Sequence, residues 1–112
     1  MWVFSEGGFI SAVATKVDSG LVRLRSRDRQ SLEDISANFQ VAIEKSPERD
    51  YPYRLEVTNE QFASWIVKEI IQINYPNFKS RVHETRGREF AGALSRVWSI
   101  MHDVEDSEAR VR

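Results

Sequence analysis

Leu21-Val-Arg-Leu-Arg-Ser-Arg27 decides the fold class. Alternate residues of an extended chain point to opposite sides, so Val22, Leu24 and Ser26 share one face while Arg23, Arg25 and Arg27 share the other. The stretch therefore predicts a strand with one core face and one cationic face. Moving towards the N-terminus, Trp2-Val-Phe4 and Phe9–Val17 are rich in β-branched and aromatic residues, and they flank Ser5-Glu-Gly-Gly8, a turn signal. They predict a hairpin. Asp18-Ser-Gly20 marks a second turn before the arginine strand.

Moving towards the C-terminus, Leu32, Ile35 and Phe39 fall at helical spacing, with Ser31 as the expected cap and Asp34 in the position of a capping-box partner. Gln40–Lys45 alternates and reads as a strand. Tyr51, Tyr53, Leu55 and Val57 alternate with Pro52, Arg54 and Glu56 and read as another. Thr58 with Gln61 starts the strongest helix. Its expected core stripe is Phe62, Ile66, Ile70 and Ile73, flanked by Trp65 and Glu69, and Tyr75-Pro76 is its expected stop. A short helical stretch follows over 77–83. Glu84-Thr-Arg-Gly87 interrupts it, and a last helix carries Phe90, Leu94, Val97, Trp98 and Met101.

The order is β-β-β-α-β-β-α-α. It predicts an α+β fold, a mainly antiparallel sheet of four or five strands with three helices on one face. Residues 1–104 are expected to form a single domain and residues 105–112 a charged, fraying tail. A strand-strand-helix order occurs twice, without residue identity between the halves.

Composition narrows the function. The 112 residues are 41% hydrophobic, which suffices for one core. Sixteen Lys plus Arg against seventeen Asp plus Glu leave a net charge of −1, unlike the strongly basic balance of a dedicated polyanion binder. The sum conceals a separation, because residues 16–30 hold five Lys or Arg against two Asp. With no cysteine there are no disulfides, no thiol catalysis and no thiolate metal sites. The N-terminal residues have no basic, apolar signal pattern, and the most apolar run, 62–73, is broken by Lys68, Glu69 and Gln72. A cytoplasmic protein without membrane association is expected.

Asp50-Tyr-Pro-Tyr-Arg54, Tyr75-Pro-Asn-Phe-Lys79 and Val97-Trp-Ser-Ile-Met101, together with the arginine strand and Gly8-Phe-Ile-Ser-Ala-Val13, carry a resemblance. On these the chain resembles a family of small uncharacterised bacterial and phage proteins of about its own length. The resemblance implies a prokaryotic single-domain protein and no particular chemistry.

Two constellations are candidates for binding. Arg23, Arg25 and Arg27, spaced about 6.6 Å apart along a strand, could hold phosphates or an acidic partner surface. They read more simply as the outer face of a sheet neutralised by Glu44 or Glu56. Tyr53, Arg54, Asn77 and Lys79 could converge on a polar site. Against this, Tyr51 and Tyr53 read as core-edge residues, and Asn77 as the cap of the next helix. Trp2, near the chain's start, could anchor a partner. His83 and His102 form no ligand motif, no metal or cofactor is implied, and no nucleophile–base set is recognisable. The sequence thus favours a small non-enzymatic protein-binding domain, regulatory or inhibitory, with an unidentified protein partner. The alternative is a nucleic-acid or nucleotide-phosphate binder using the arginine-lined strand. Monomer and homodimer both remain open.

Overall fold

The computed structural model describes residues 1–47 and 50–105, and it divides into two compact units, residues 1–74 and 75–112. The first unit is a five-stranded sheet backed by two helices. Its strands are β1 (Trp2–Ser5), β2 (Gly8–Ala14), β3 (Leu21–Ser26), β4 (Glu44–Lys45) and β5 (Tyr53–Thr58), in the spatial order β1-β2-β3-β5-β4, with every neighbour antiparallel. Its helices are α1 (Gln30–Phe39) and α2 (Asn59–Ile71). The second unit holds α3 (Phe78–Arg86) and α4 (Arg88–Ile100). The α+β class and antiparallel sheet are as expected. Four helices are present among the described residues instead of three, because the short stretch after Pro76 extends to Arg86.

The hairpin forms as the sequence dictates. Ser5 pairs with Gly8 across a two-residue Glu6-Gly7 loop, and the Gly7 N–H donates to Ser5 Oγ at 3.2 Å. In β3 the alternation is exact in its consequence: Leu24 and Ser26 are fully buried, and Leu24 pairs with Leu55, Val22 with Val57. Ile10 and Ala12 of β2 complete the sheet's inner face. Leu32 and Ile35 of α1 and Phe62 and Trp65 of α2 close over it. Each fully buried aliphatic side chain contributes roughly 1.5–3 kcal/mol.

Several local expectations are corrected. Ser31 does not cap α1, which begins at Gln30 without a side-chain cap. The hydroxyl is buried instead, accepting from the Phe9 N–H at 3.1 Å and donating to Asp28 Oδ1 at 2.6 Å, and so it ties α1 to β2. The strand expected over 40–45 shrinks to Glu44–Lys45. Gln40 takes a left-handed conformation (φ 54°) that ends α1, and Ser36 Oγ donates to the Val41 carbonyl at 2.6 Å. Val41 and Ile43 still pack on the core, so the alternation placed their side chains correctly without a strand ladder.

The Thr58–Gln61 capping box is present in both directions, at 2.9 and 3.1 Å. The α2 stripe turns out differently. Trp65, expected at its flank, is 4% exposed, whereas Ile70 and Ile73 are 59% and 54% exposed. Successive steps of four residues overshoot the 3.6-residue turn by about 40° each, which carries Ile70 off the face that Phe62 defines. Ile73 lies beyond the helix, which stops at Ile71, well before Pro76.

In the second unit Val82, Ala91 and Leu94 form a small core with Phe78 and Phe90 against it. Asn77 caps α3, accepting from the Ser80 N–H at 2.9 Å. Gly87, at φ 90°, makes the one-residue break between the helices, in a conformation that favours glycine. Val97, Trp98 and Met101 of the expected α4 stripe are 38%, 58% and 55% exposed. The nine-residue α3 is about 13 Å long and cannot cover a helix of thirteen residues. Of the expected tail 105–112, residues 106–112 lie outside the described residues.

Candidate functional site

Within the first unit α1 and α2 cover one face of the sheet, and the other face is the candidate surface. Pairing lines its residues up in rows across the strands. One row runs Trp2, Ser11, Arg25, Arg54 and Glu44; a second runs Val13, Arg23 and Glu56. Phe4 lies opposite Phe9 at the hairpin end. Arg23 and Arg25 therefore share one face, β5 adds Arg54, and Arg27 follows directly after the end of β3.

Each arginine of the stripe is engaged. Arg23 faces Glu56, with Nη2 to Oε2 at 3.9 Å. Arg25 Nη2 donates to Ser11 Oγ at 3.0 Å. Arg27 Nη1 donates to the Asp50 carbonyl at 2.9 Å and to its carboxylate at 3.2 Å. The guanidinium groups of Arg25 and Arg27 both lie 4.7 Å from the ring centre of Tyr51, which is 7% exposed. Tyr51 in turn sits 6.3 Å from Phe9, and Phe9 contacts Trp2 edge-on at 5.6 Å and Phe4 at 4.8 Å. The result is a continuous run of rings and guanidinium groups across the sheet. Its outer members are exposed, Trp2 at 68% and Phe4 at 36%, with Val13 at 39% beside them. Next to β4, a recess of about 320 Å³ is lined by Arg23 and Arg54 together with Glu44 and Glu56, so its charges balance.

The remaining expected residues fall elsewhere. Tyr53 pairs with Ser26 and packs on the core, opposite in facing to Arg54, with Lys45 Nζ 5.6 Å from its ring centre. Asn77 and Lys79 belong to the second unit, where Asn77 is the α3 cap and Lys79 Nζ lies 4.4 Å from the Trp98 ring centre. Trp2 was a candidate anchor from the sequence, but Phe4, Phe9 and Ser11 were not. Alternation along β2 joined to the hairpin register was the signal that could have found them.

A second polar cluster lies on the helix side of the first unit. Trp65 Nε1 donates to Asp34 Oδ2 at 2.8 Å and Lys68 Nζ to the same oxygen at 3.0 Å. Burial alone would raise the Asp34 pKa, but these two donors and the Lys68 charge outweigh it and hold the carboxyl below its usual range. Glu69 is pushed up, first by burial and then by the Asp34 and Glu6 charges. Both line a recess of about 220 Å³ with Glu6 and Gln30. Among the described residues no group of three or more His, Cys, Asp or Glu is arranged to hold a metal ion, and no helix is long and apolar enough to cross a membrane.

In comparison with known proteins, no family model, no curated protein and no solved structure matches this chain.

Proposed function

We propose that this chain is a small non-enzymatic protein-binding domain, cytoplasmic and bacterial or phage-encoded, that regulates or inhibits a protein partner through the open face of its sheet. One observation carries the reading. The arginines are already engaged by an acid, a hydroxyl or the Tyr51 ring, while Trp2, Phe4 and Val13 stand exposed beside them. A polyanion needs uncommitted cations. A protein interface takes a mixture of aromatic anchors and arginines held in place by their neighbours, and Trp, Tyr and Arg dominate the energetics of such interfaces. Arginines fixed on a ring and on cross-strand carboxylates have lost rotamer freedom before any partner arrives, which lowers the entropy cost of binding.

Replacing Arg23, Arg25 and Arg27 together by serine, with folding checked by circular dichroism, tests the reading. The expected outcome is loss of partner capture from a lysate of the source cell. Unchanged capture removes the arginine face from the account.

A second reading, nucleic-acid or nucleotide-phosphate binding, draws on one feature: Arg25 and Arg54 lie directly opposite each other, which places two positive charges side by side. Salt separates the two readings. Phosphate contacts weaken steeply between low and moderate salt, whereas an interface built on aromatic anchors changes little.

A further inference from the structure

The second unit carries a charged groove that the sheet-face reading does not use. From Phe78 to Ile100 the chain holds five Lys or Arg against two Glu, a local charge of +3 within a protein of net −1. Between α3 and α4 lies an open groove of about 450 Å³, within the range of small-molecule sites. Lys79 and His83 line it from α3, and Arg88 from the start of α4. Ser80 and Ser95 line it as well.

Two details give the groove its sign and its room. Its one carboxylate, Glu84, is already paired with Arg81 at 3.3 Å, whereas neither Lys79 nor Arg88 has a salt bridge among the described residues. Lys79 instead rests its ammonium against the Trp98 ring, 4.4 Å from the centre, a contact that a stronger anionic partner can displace. On the α4 side the groove is lined by Ala91, Gly92 and Ser95, all small, and a Cβ placed on Gly92 meets no atom within 4 Å. Cations, hydroxyl donors and an unfilled floor suit a compact anion with several acceptor oxygens. A lysine and an arginine from different helices suit a phosphate in particular, the one as a point charge and the other as a fork.

We infer that the α3–α4 groove binds a terminal phosphate of a small phosphorylated molecule, held by Lys79 and Arg88 with the Ser80 and Ser95 hydroxyls. The inference is independent of the sheet-face reading, since it concerns residues of the other unit only.

The test titrates the full chain with inorganic pyrophosphate and with adenosine diphosphate at constant ionic strength, following the Trp98 indole N–H and the backbone amides of α3 and α4 by NMR. Both probes should shift Trp98, Ser80 and Gly92 saturably. Gly92→Glu, which projects a carboxylate into open space, should weaken binding by about tenfold or more, with a melting temperature no lower than that of the parent chain. Lys79→Met and Arg88→Gln should each weaken it as well. The inference is overturned by unchanged α3 and α4 signals, by equal shifts with sodium sulfate, or by a Gly92→Glu chain that binds as the parent does. A short single-stranded oligonucleotide that moves these signals while both small probes leave them still would also overturn it, in favour of a nucleic-acid groove.

Discussion

The Trp65 indole donates to Asp34 Oδ2 at 2.8 Å, joining α2 to α1 across 31 residues of sequence. Trp65 thereby places an aromatic ring in the core and its polar edge on a carboxylate at the rim, and Lys68 closes on the same oxygen. Replacing Asp34 by alanine leaves the half-sheltered indole N–H without its acceptor. We expect a loss of about 1 kcal/mol near neutral pH, below the usual range for hydrogen bonds to charged groups because the carboxylate is largely exposed. Urea denaturation measures it. The folded pKa of Asp34 lies below its unfolded value, so its contribution is complete above the unfolded value and fades as the pH falls through the folded one. The gap between parent and Asp34→Ala should accordingly narrow in acid.

Glu69 works in the opposite direction. Its folded pKa is raised by burial and by the charges of Asp34 and Glu6, so the folded state holds its proton more tightly than the unfolded state does. Stability is lost as the pH rises from the unfolded Glu value through the raised folded one. Glu69→Gln should therefore be more stable than the parent near neutral pH and indistinguishable from it in stronger acid. Thermal melts across that range check the sign, and a variant less stable at neutral pH contradicts it.

Leu24 sits at the centre of the sheet with no exposed surface, paired with Leu55. Leu24→Ala removes three carbons from a site walled by strands on both sides, where little can collapse into the gap. A loss on the order of 3 kcal/mol is expected from denaturant titration.

Tyr51 holds Arg25 and Arg27 in place from beneath the exposed surface. Tyr51→Leu keeps much of the apolar bulk and removes the ring face. The stability loss should be modest, about 1 kcal/mol, whereas the affinity for a partner of the sheet face should fall because both guanidinium groups regain their rotamer freedom. Equal affinity in this variant would show that the arginines need no such support.

How far the sequence went depends on the range of the forces involved. Alternation in 21–27 is a local steric fact, and it placed Leu24, Ser26, Arg23 and Arg25 on their proper faces. The Thr58–Gln61 cap is equally local. Ser31 misled because its hydroxyl had a distant competitor, the Phe9 N–H of β2, which no pattern within α1 announces. Gln40 misled because a single left-handed residue redirected a segment whose side chains still alternated. The aromatic run of Trp2, Phe4, Phe9 and Tyr51 was hidden for a related reason. It joins residues nearly fifty positions apart, and only the successive pairing of β1 with β2, β2 with β3 and β3 with β5 brings them together. Likewise, whether an arginine stripe is free or neutralised depends on cross-strand register, which put Glu56 beside Arg23 and set Arg54 opposite Arg25.

The central claim is that the open sheet face meets a protein. Site-specific photo-crosslinking tests it most directly, with a benzophenone side chain placed in turn at Trp2 and Val13 on that face and at Ala37 and Glu60 on exposed helix positions. The account predicts that one and the same protein is captured from positions 2 and 13, is competed away by excess parent chain, and is absent from positions 37 and 60. Capture of that protein from the helix positions as readily as from the sheet, or capture of nucleic acid alone at positions 2 and 13, would contradict it.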